Sequence, residues 1–185
     1  MSAATLAPLS RETALGRDEI IVSKTDLKGR LAYVNRVFVR VSGYDREELL
    51  GKPHSVIRHP DMPGGVFKLL WDTIQGGQEI FAYVKNSAKD GGFYWVLAHV
   101  TPSFDAAGQI VGYHSNRRYP DREAVARVER IYRALRDVER SYSHRSEAAA
   151  ASLAHLQGLL DEAGLDYESY VWRLIHGEKS GVGDD

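Results

Sequence analysis

The residues best suited to chemistry in this sequence are two asparagines, a short run of opposite charges and a set of aromatic side chains. Asn86 carries both a carbonyl acceptor and amide donors, so on an inward strand position it can match the mixed donor and acceptor edge of a planar heterocycle. Asn35, at a strand-to-helix junction, can do the same, or it can cap the helix that follows. Arg58 and His59 beside Asp61 can form a cationic lip for a diphosphate, the carboxylate orienting the pair through charge-assisted hydrogen bonds. The alternative is structural: Asp61 opens a helix and Arg58 is a solvated surface charge. Trp71 lies in an apolar stripe with Phe67, Leu70 and Ile74, where it can belong to the core and still edge a ring. Tyr94 and Trp95 point to opposite faces of their strand, so one of them can face a ligand. His99 and His114 also lie on strands, and either could serve alone as the axial ligand of a haem.

Composition removes whole classes of chemistry. The sequence has no cysteine, which excludes thiol nucleophiles, disulfides, Cys-ligated zinc, iron–sulfur clusters and covalent haem attachment. His54 and His59 have no second pair with which to complete a metal site. There is no nucleophile elbow, phosphate loop or paired-carboxylate motif, so the chain is not expected to be an enzyme. With 24 Lys and Arg against 25 Asp and Glu, the 185-residue chain has a net charge of −1 and no bulk attraction to nucleic acid or anionic lipid. No apolar run reaches the roughly eighteen residues of a membrane span, so a cytoplasmic chain without direct membrane insertion is expected.

The elements that must position these residues follow from periodicity. Residues 1–18 read as a flexible tail, and 19–118 as one α+β domain. Strands are expected at 20–24 and 31–34, joined by a tight turn at Asp26 and Gly29. Short helical stretches follow at 37–44, 45–50 and 66–74, the last ended by Gly76 and Gly77. Alternation then marks strands at 80–86, 93–101 and 110–117. The order predicts a five-stranded antiparallel sheet with the short helices on one face and a space between the two layers. Beyond it, 119–176 is a helical extension and 177–185 a disordered polar tail. Its first helix carries Val125, Val128, Tyr132, Leu135, Val138 and Tyr142 at steps of three and four. That stripe can meet a partner, as a homodimer or with a transducer protein, or pack back on the sheet or the last helices.

Within this frame, Tyr33-Val34-Asn35, Val41-Ser42-Gly43-Tyr44, Glu48-Leu49 and Gly51-Lys52-Pro53-His54 resemble the first half of a PAS domain. The continuation is Ile57-Arg58-His59-Pro60-Asp61-Met62-Pro63, with Phe67, Leu70-Trp71, Ile74, Val84-Lys85-Asn86, Lys89-Asp90-Gly91, Tyr94-Trp95-Val96 and Val100-Thr101-Pro102. It is similar to the FAD-binding PAS domain of bacterial aerotaxis receptors, and the likeness extends over residues 19–118. The resemblance implies FAD held non-covalently between sheet and helices in a redox or oxygen sensor that signals by conformational change. It implies flavin contacts at Asn35, Arg58, His59, Asp61 and Asn86, with Trp71 near the ring. Such domains more often have Pro-Trp and a Gly where this chain has Glu79-Ile80-Phe81-Ala82, and an Arg-rich run in place of Ser87-Ala88. Without a thiol, a bound flavin would act by electron transfer rather than by adduct formation. Two further expectations stand beside this one: a haem-binding PAS gas sensor using His99 or His114, and a cofactor-free PAS module that docks or dimerises through its C-terminal helices.

Overall fold

Asp26 closes the first hairpin by accepting the amides of Lys28 and Arg30, each at 2.9 Å, while Gly29 takes the left-handed conformation at φ 73°. The strands it joins are β1 (Ile21–Thr25) and β2 (Leu31–Val34) in a computed structural model that describes residues 11–184. Helices α1 (Arg36–Ser42), α2 (Arg46–Leu49) and α3 (Gly64–Gln75) follow, with a 3-10 turn at His54–Ile57 between the last two. Strands β3 (Ile80–Ser87), β4 (Phe93–Phe104) and β5 (Ile110–Arg118) complete one antiparallel sheet in the order β2-β1-β5-β4-β3. Helices α4 (Arg122–Glu139), α5 (Arg145–Glu162) and α6 (Tyr167–Ile175) end the chain. This is the α+β order that the alternation and the helical spacings predict.

Register assigns the faces of the sheet. Asn86 pairs with Tyr94, Val84 with Val96 and Ala82 with Ala98; Ala98 in turn pairs with Arg117, and Ser115 with Ser23. Paired residues share a face. This face looks toward α1 and α3, because Arg117 lies over the Phe38 ring and Tyr113 meets Trp71. The alternate residues form the outer face, which α4 and α6 cover. There the Tyr132 hydroxyl donates to the Tyr83 carbonyl at 2.7 Å, and its ring lies 6.2 Å from that of Trp95. The stripe on α4 therefore packs back within the chain: Val125, Val128, Tyr132 and Leu135 are buried, and Tyr142 is left 44% exposed.

Both expected tails are corrected where the structure describes them. On its free side Phe93 has no β5 partner, because β5 begins to pair with β4 only at Leu97. Residues 11–13 take up those open backbone groups: Phe93 donates to the Arg11 carbonyl at 3.1 Å, and Thr13 donates to the Phe93 carbonyl at 2.7 Å. Leu15 is buried, and Glu12 accepts both guanidinium nitrogens of Arg122, at 2.7 and 2.8 Å. The rest of that expected tail, 1–10, lies outside the described residues. At the other end Val182 is buried, Arg127 donates to the Glu178 carbonyl at 2.8 Å and Arg130 to that of Gly183 at 3.0 Å. Arginines on α4 thus hold the segment against the helix. Among the described residues no helix is long and apolar enough to cross a membrane.

Candidate functional site

The layer between sheet and helices is walled by apolar side chains but contains polar atoms that have no partner. Phe38 from α1, Ile57 from the 3-10 turn, and Val66 and Leu70 from α3 are buried on the helical side; Val84, Val96, Ala82 and Ala98 are buried on the sheet. The paired alanines keep the middle of that wall flat. Among these residues sit Asn86 Nδ2, Tyr94 Oη, Ser115 Oγ and Arg117 Nη1, all buried and, among the described residues, without a hydrogen-bond partner. All four belong to the inner face. A buried polar group left unpaired costs about 1–3 kcal/mol, and native domains retain only about 5–15 kcal/mol in total. The four are spread along the face rather than clustered: Asn86 and Tyr94 pair at one end, Arg117 pairs with Ala98, and Ser115 with Val100, six residues and roughly 20 Å along β4 from Tyr94. Asn86 Nδ2 and Arg117 Nη1 are obligate donors, and the two hydroxyls can donate or accept.

Arg117 sets the electrostatics. Its side chain donates to Ser23 Oγ at 3.1 Å and to His54 Nε2, and its guanidinium carbon lies 5.4 Å from the centre of the Phe38 ring. Among the described residues no carboxylate pairs with it. Burial lowers its pKa to about 10, which still leaves it a cation at neutral pH. His54 is driven well below the usual histidine range, first by burial and then by the Arg117 charge. It is therefore neutral, with Nε2 as acceptor. Burial likewise raises the pKa of the Tyr94 phenol. Phe38, His54 and Arg117 meet in the layer, so a planar guest has to displace part of that contact.

This architecture has known counterparts. Residues 31–117 match a family model described as the PAS fold. The chain is 42% identical over 125 residues to the aerotaxis receptor of Escherichia coli strain K12, covering 68% of this chain and 24% of the receptor. The chain contains a PAS domain of the aerotaxis-receptor type. It is also 26% identical over 106 residues to the nitrogen fixation regulatory protein of Klebsiella pneumoniae, covering 57% of this chain and 21% of that protein. Among solved structures, the dark state of the blue-light photoreceptor Aureochrome1 LOV aligns with a TM-score of 0.52 at 22% identity, over 64% of this chain and 86% of that one. A light-oxygen-voltage domain whose mechanism was probed with a flavin analogue aligns with a TM-score of 0.51 at 18% identity, over 56% of this chain and 78% of that one. These two likenesses are of fold. The chain spans about a quarter of the length of the aerotaxis receptor, and the PAS domain is a sensor domain similar to that receptor's.

The PAS fold separates the six expected site residues. Asn86 and Trp71 reach the inner layer. Asn86 stands at the end of β3 with its amide nitrogen unpartnered, and Trp71 meets Tyr113 edge-on at 5.5 Å under the Gly29 turn. Arg58 lies at the margin, its guanidinium carbon 4.4 Å from the Phe67 ring centre and its nitrogen donating to the Met62 carbonyl at 3.1 Å. Asn35 is a correction. Its Oδ1 accepts the amides of Val22 and Phe38 at 3.1 and 3.0 Å, and its Nδ2 donates to the Ile20 carbonyl at 2.8 Å. The side chain caps α1 and ties it to β1. Asn35→Ala is expected to cost about 1–2 kcal/mol in urea unfolding while leaving ligand stoichiometry unchanged.

The expected lip is only partly assembled: His59 Nδ1 lies 3.6 Å from Asp61 Oδ2, but Arg58 turns away to Phe67 and the Met62 carbonyl. His59 is buried, and its Nδ1 accepts the Asp61 amide at 3.0 Å. Asp61 turns to Lys85 at 2.7 Å and Arg136 at 2.6 Å. Burial opposes its ionisation, but the hydrogen bond and charge of Lys85, with Arg136, outweigh it and hold the carboxyl below its usual range. His99 and His114 face outward: His99 stacks on Phe81 and meets Glu79 at 2.7 Å, and His114 meets Asn116 at 3.2 Å. The residues that local pattern passed over are Arg117, Ser115 and, as a candidate, His54. Alternation from Tyr113 through Ser115 to Arg117 is the signal that could have found the first two.

Proposed function

We propose that this PAS domain is a cytoplasmic redox or oxygen sensor that binds FAD non-covalently between sheet and helices and signals by conformational change. One observation carries the reading: unpartnered buried polar atoms, at Asn86, Tyr94 and Arg117, on the face that lines the layer. An isoalloxazine presents two apolar faces and one acceptor-rich edge, which suits apolar walls interrupted by those donors. The 42% identity to an aerotaxis receptor supports the same class of input, as does the fold shared with a domain probed by a flavin analogue. When bound, a flavin supplies reversible electron acceptance. Asn86 and Arg117 would hold its polar edge and Tyr94 can donate or accept as that edge changes, while Ser115 and Trp71, beside Tyr113 further along the sheet, are left for the rest of the FAD molecule. The Arg117 cation, with no counter-ion among the described residues, favours a ligand whose negative charge grows on reduction. Arg58 stays at the rim, while Asn35, His59 and Asp61 hold the frame. Haem has less support, since His99 and His114 both lie on the outer face.

An absorption spectrum of freshly purified protein tests this directly. Two flavin bands are expected; a Soret band or a colourless protein that takes up no added FAD overturns the reading. Asn86→Ala is expected to lower flavin content by about tenfold, the loss of one buried hydrogen bond to the ligand. Unchanged stoichiometry in that variant would remove Asn86 from the site.

A further inference from the structure

α3 supplies Trp71, yet the start of this helix is held by residues from outside the PAS domain. Pro63 precedes it with no side chain able to cap, and its first turn has no acidic residue. The Gly65 amide instead donates to Glu139 Oε1 of α4 at 3.1 Å and to Ser152 Oγ of α5 at 3.0 Å. The Ser152 hydroxyl, fully buried, donates to that same Glu139 oxygen at 2.5 Å. The seam has no slack. A Cβ on Gly65 would lie 2.3 Å from Ser152 Oγ and 2.6 Å from the Leu153 amide nitrogen, and one on Gly64 would lie 3.1 Å from Ala149 Cβ. The opposite wall of the site is tied to the same helical unit. Asp61 joins Lys85 on β3 to Arg136 on α4, and Tyr132 on α4 donates to the Tyr83 carbonyl on β3.

We propose that Glu139 and Ser152 are positioning residues for the cofactor site, acting through α3, so that ligand occupancy and the seating of α5 form one linked equilibrium. The proposal rests on the flavin reading of the site. A ligand that needs α3 in its seated place over the inner face binds more tightly when α5 is docked. By reciprocity, its binding tightens the docking of α5 by the same factor. Close-packed seams switch between discrete arrangements rather than stretch, so a small shift of α3 releases the shared cap. The readout of the sensor is thus the α3–α5 seam.

The test uses the full chain with FAD as the probe, reading FAD affinity by titration and amide hydrogen exchange across 145–162. FAD is expected to slow exchange in α5. Gly65→Ala, which unseats α5, is expected to weaken FAD by about fivefold or more, the low end of typical couplings, and to speed α5 exchange. Ser152→Ala, the milder change, is expected to move both readouts in the same direction and by matching factors. Glu139→Ala, which removes the shared acceptor, is expected to weaken FAD and speed α5 exchange as Ser152→Ala does. A seam that only supports the fold would lower the Tm of Gly65→Ala and Ser152→Ala while leaving FAD affinity and the near-ultraviolet dichroism of the bound flavin unchanged, and that result overturns the proposal. Failure of the wild-type chain to bind FAD would overturn the reading of the site and the linkage with it.

Discussion

Arg117→Met is expected to leave the flavin-free protein at least as stable as the wild type while weakening FAD binding by about 10- to 100-fold. The two effects differ because the guanidinium is a poor structural residue and a good ligand contact. Burying a cation without a counter-ion costs several kcal/mol even after relaxation. Its partners here are neutral: the Ser23 hydroxyl and His54 Nε2. Removing the charge recovers that desolvation cost, and the two lost acceptor contacts return roughly 1–3 kcal/mol each. Methionine keeps an unbranched apolar stem against Phe38, so little packing is lost. In the loaded protein the balance reverses, because a hydrogen bond from a charged donor contributes about 1.5–3 kcal/mol and each 1.4 kcal/mol is tenfold in affinity. Urea unfolding without flavin and a flavin titration measure the two halves separately. Stability lower by more than about 2 kcal/mol, with undiminished affinity, would mean that Ser23 and His54 already satisfy the cation.

Why Arg117 is hard to find in the sequence follows from how strands acquire faces. Alternation puts Tyr113, Ser115 and Arg117 on one side of β5, but the inward side is decided by pairing with β1, and the contact from Arg117 to Ser23 spans 94 positions. No local pattern carries that information. Asn86 was legible because its strand and its donor-acceptor character were both readable in place. Asn35 left two readings open, and the cap prevailed because the same amide also bridges β1 and α1. The cluster at 58–61 sits in an irregular segment whose side chains are aimed by Lys85 and Arg136, from β3 and α4. Phe81, where aerotaxis-type domains more often differ, stacks on His99 at 4.1 Å and meets Trp172 of α6 at 5.3 Å. Phe81 therefore serves the docking of the helical unit on the outer face, while Ala82 beside it lies in the inner wall. Periodicity gave the α4 stripe; that it covers Tyr83 and Trp95 rather than a partner depends on the apolar outer face of a distant sheet.

The stability of the protein is expected to fall steeply below pH 6.5 and to be nearly flat from there to pH 8. His54 is held well below its ordinary value of 6.5 by burial and then by Arg117, and His59 is lowered by burial and then by Lys85. Both titrate near 6.5 in the unfolded chain. Between the depressed folded pKa and 6.5 the unfolded state binds more protons, so stability rises with pH there and is lost as the pH falls. The limiting slope is about 1.4 kcal/mol per pH unit for each histidine, so the pair can remove about 2–3 kcal/mol over one unit once both are engaged. Asp61 acts in a separate, more acidic window. Its lowered pKa stabilises the fold at neutral pH, a contribution lost only as the carboxyl protonates below the usual 3.8. Urea unfolding at pH 7.5, 6.5 and 5.5 resolves the histidine window from the carboxylate one. His54→Gln is expected to remove the larger part of the slope, since His54 is the more strongly depressed of the two. Arg117→Met is expected to make it shallower, because removing the neighbouring cation lets His54 accept a proton at less cost. Equal wild-type stabilities at pH 7.5 and 5.5 would mean that the imidazole is hydrated in solution, and that the guanidinium beside it reaches water rather than a buried ligand edge.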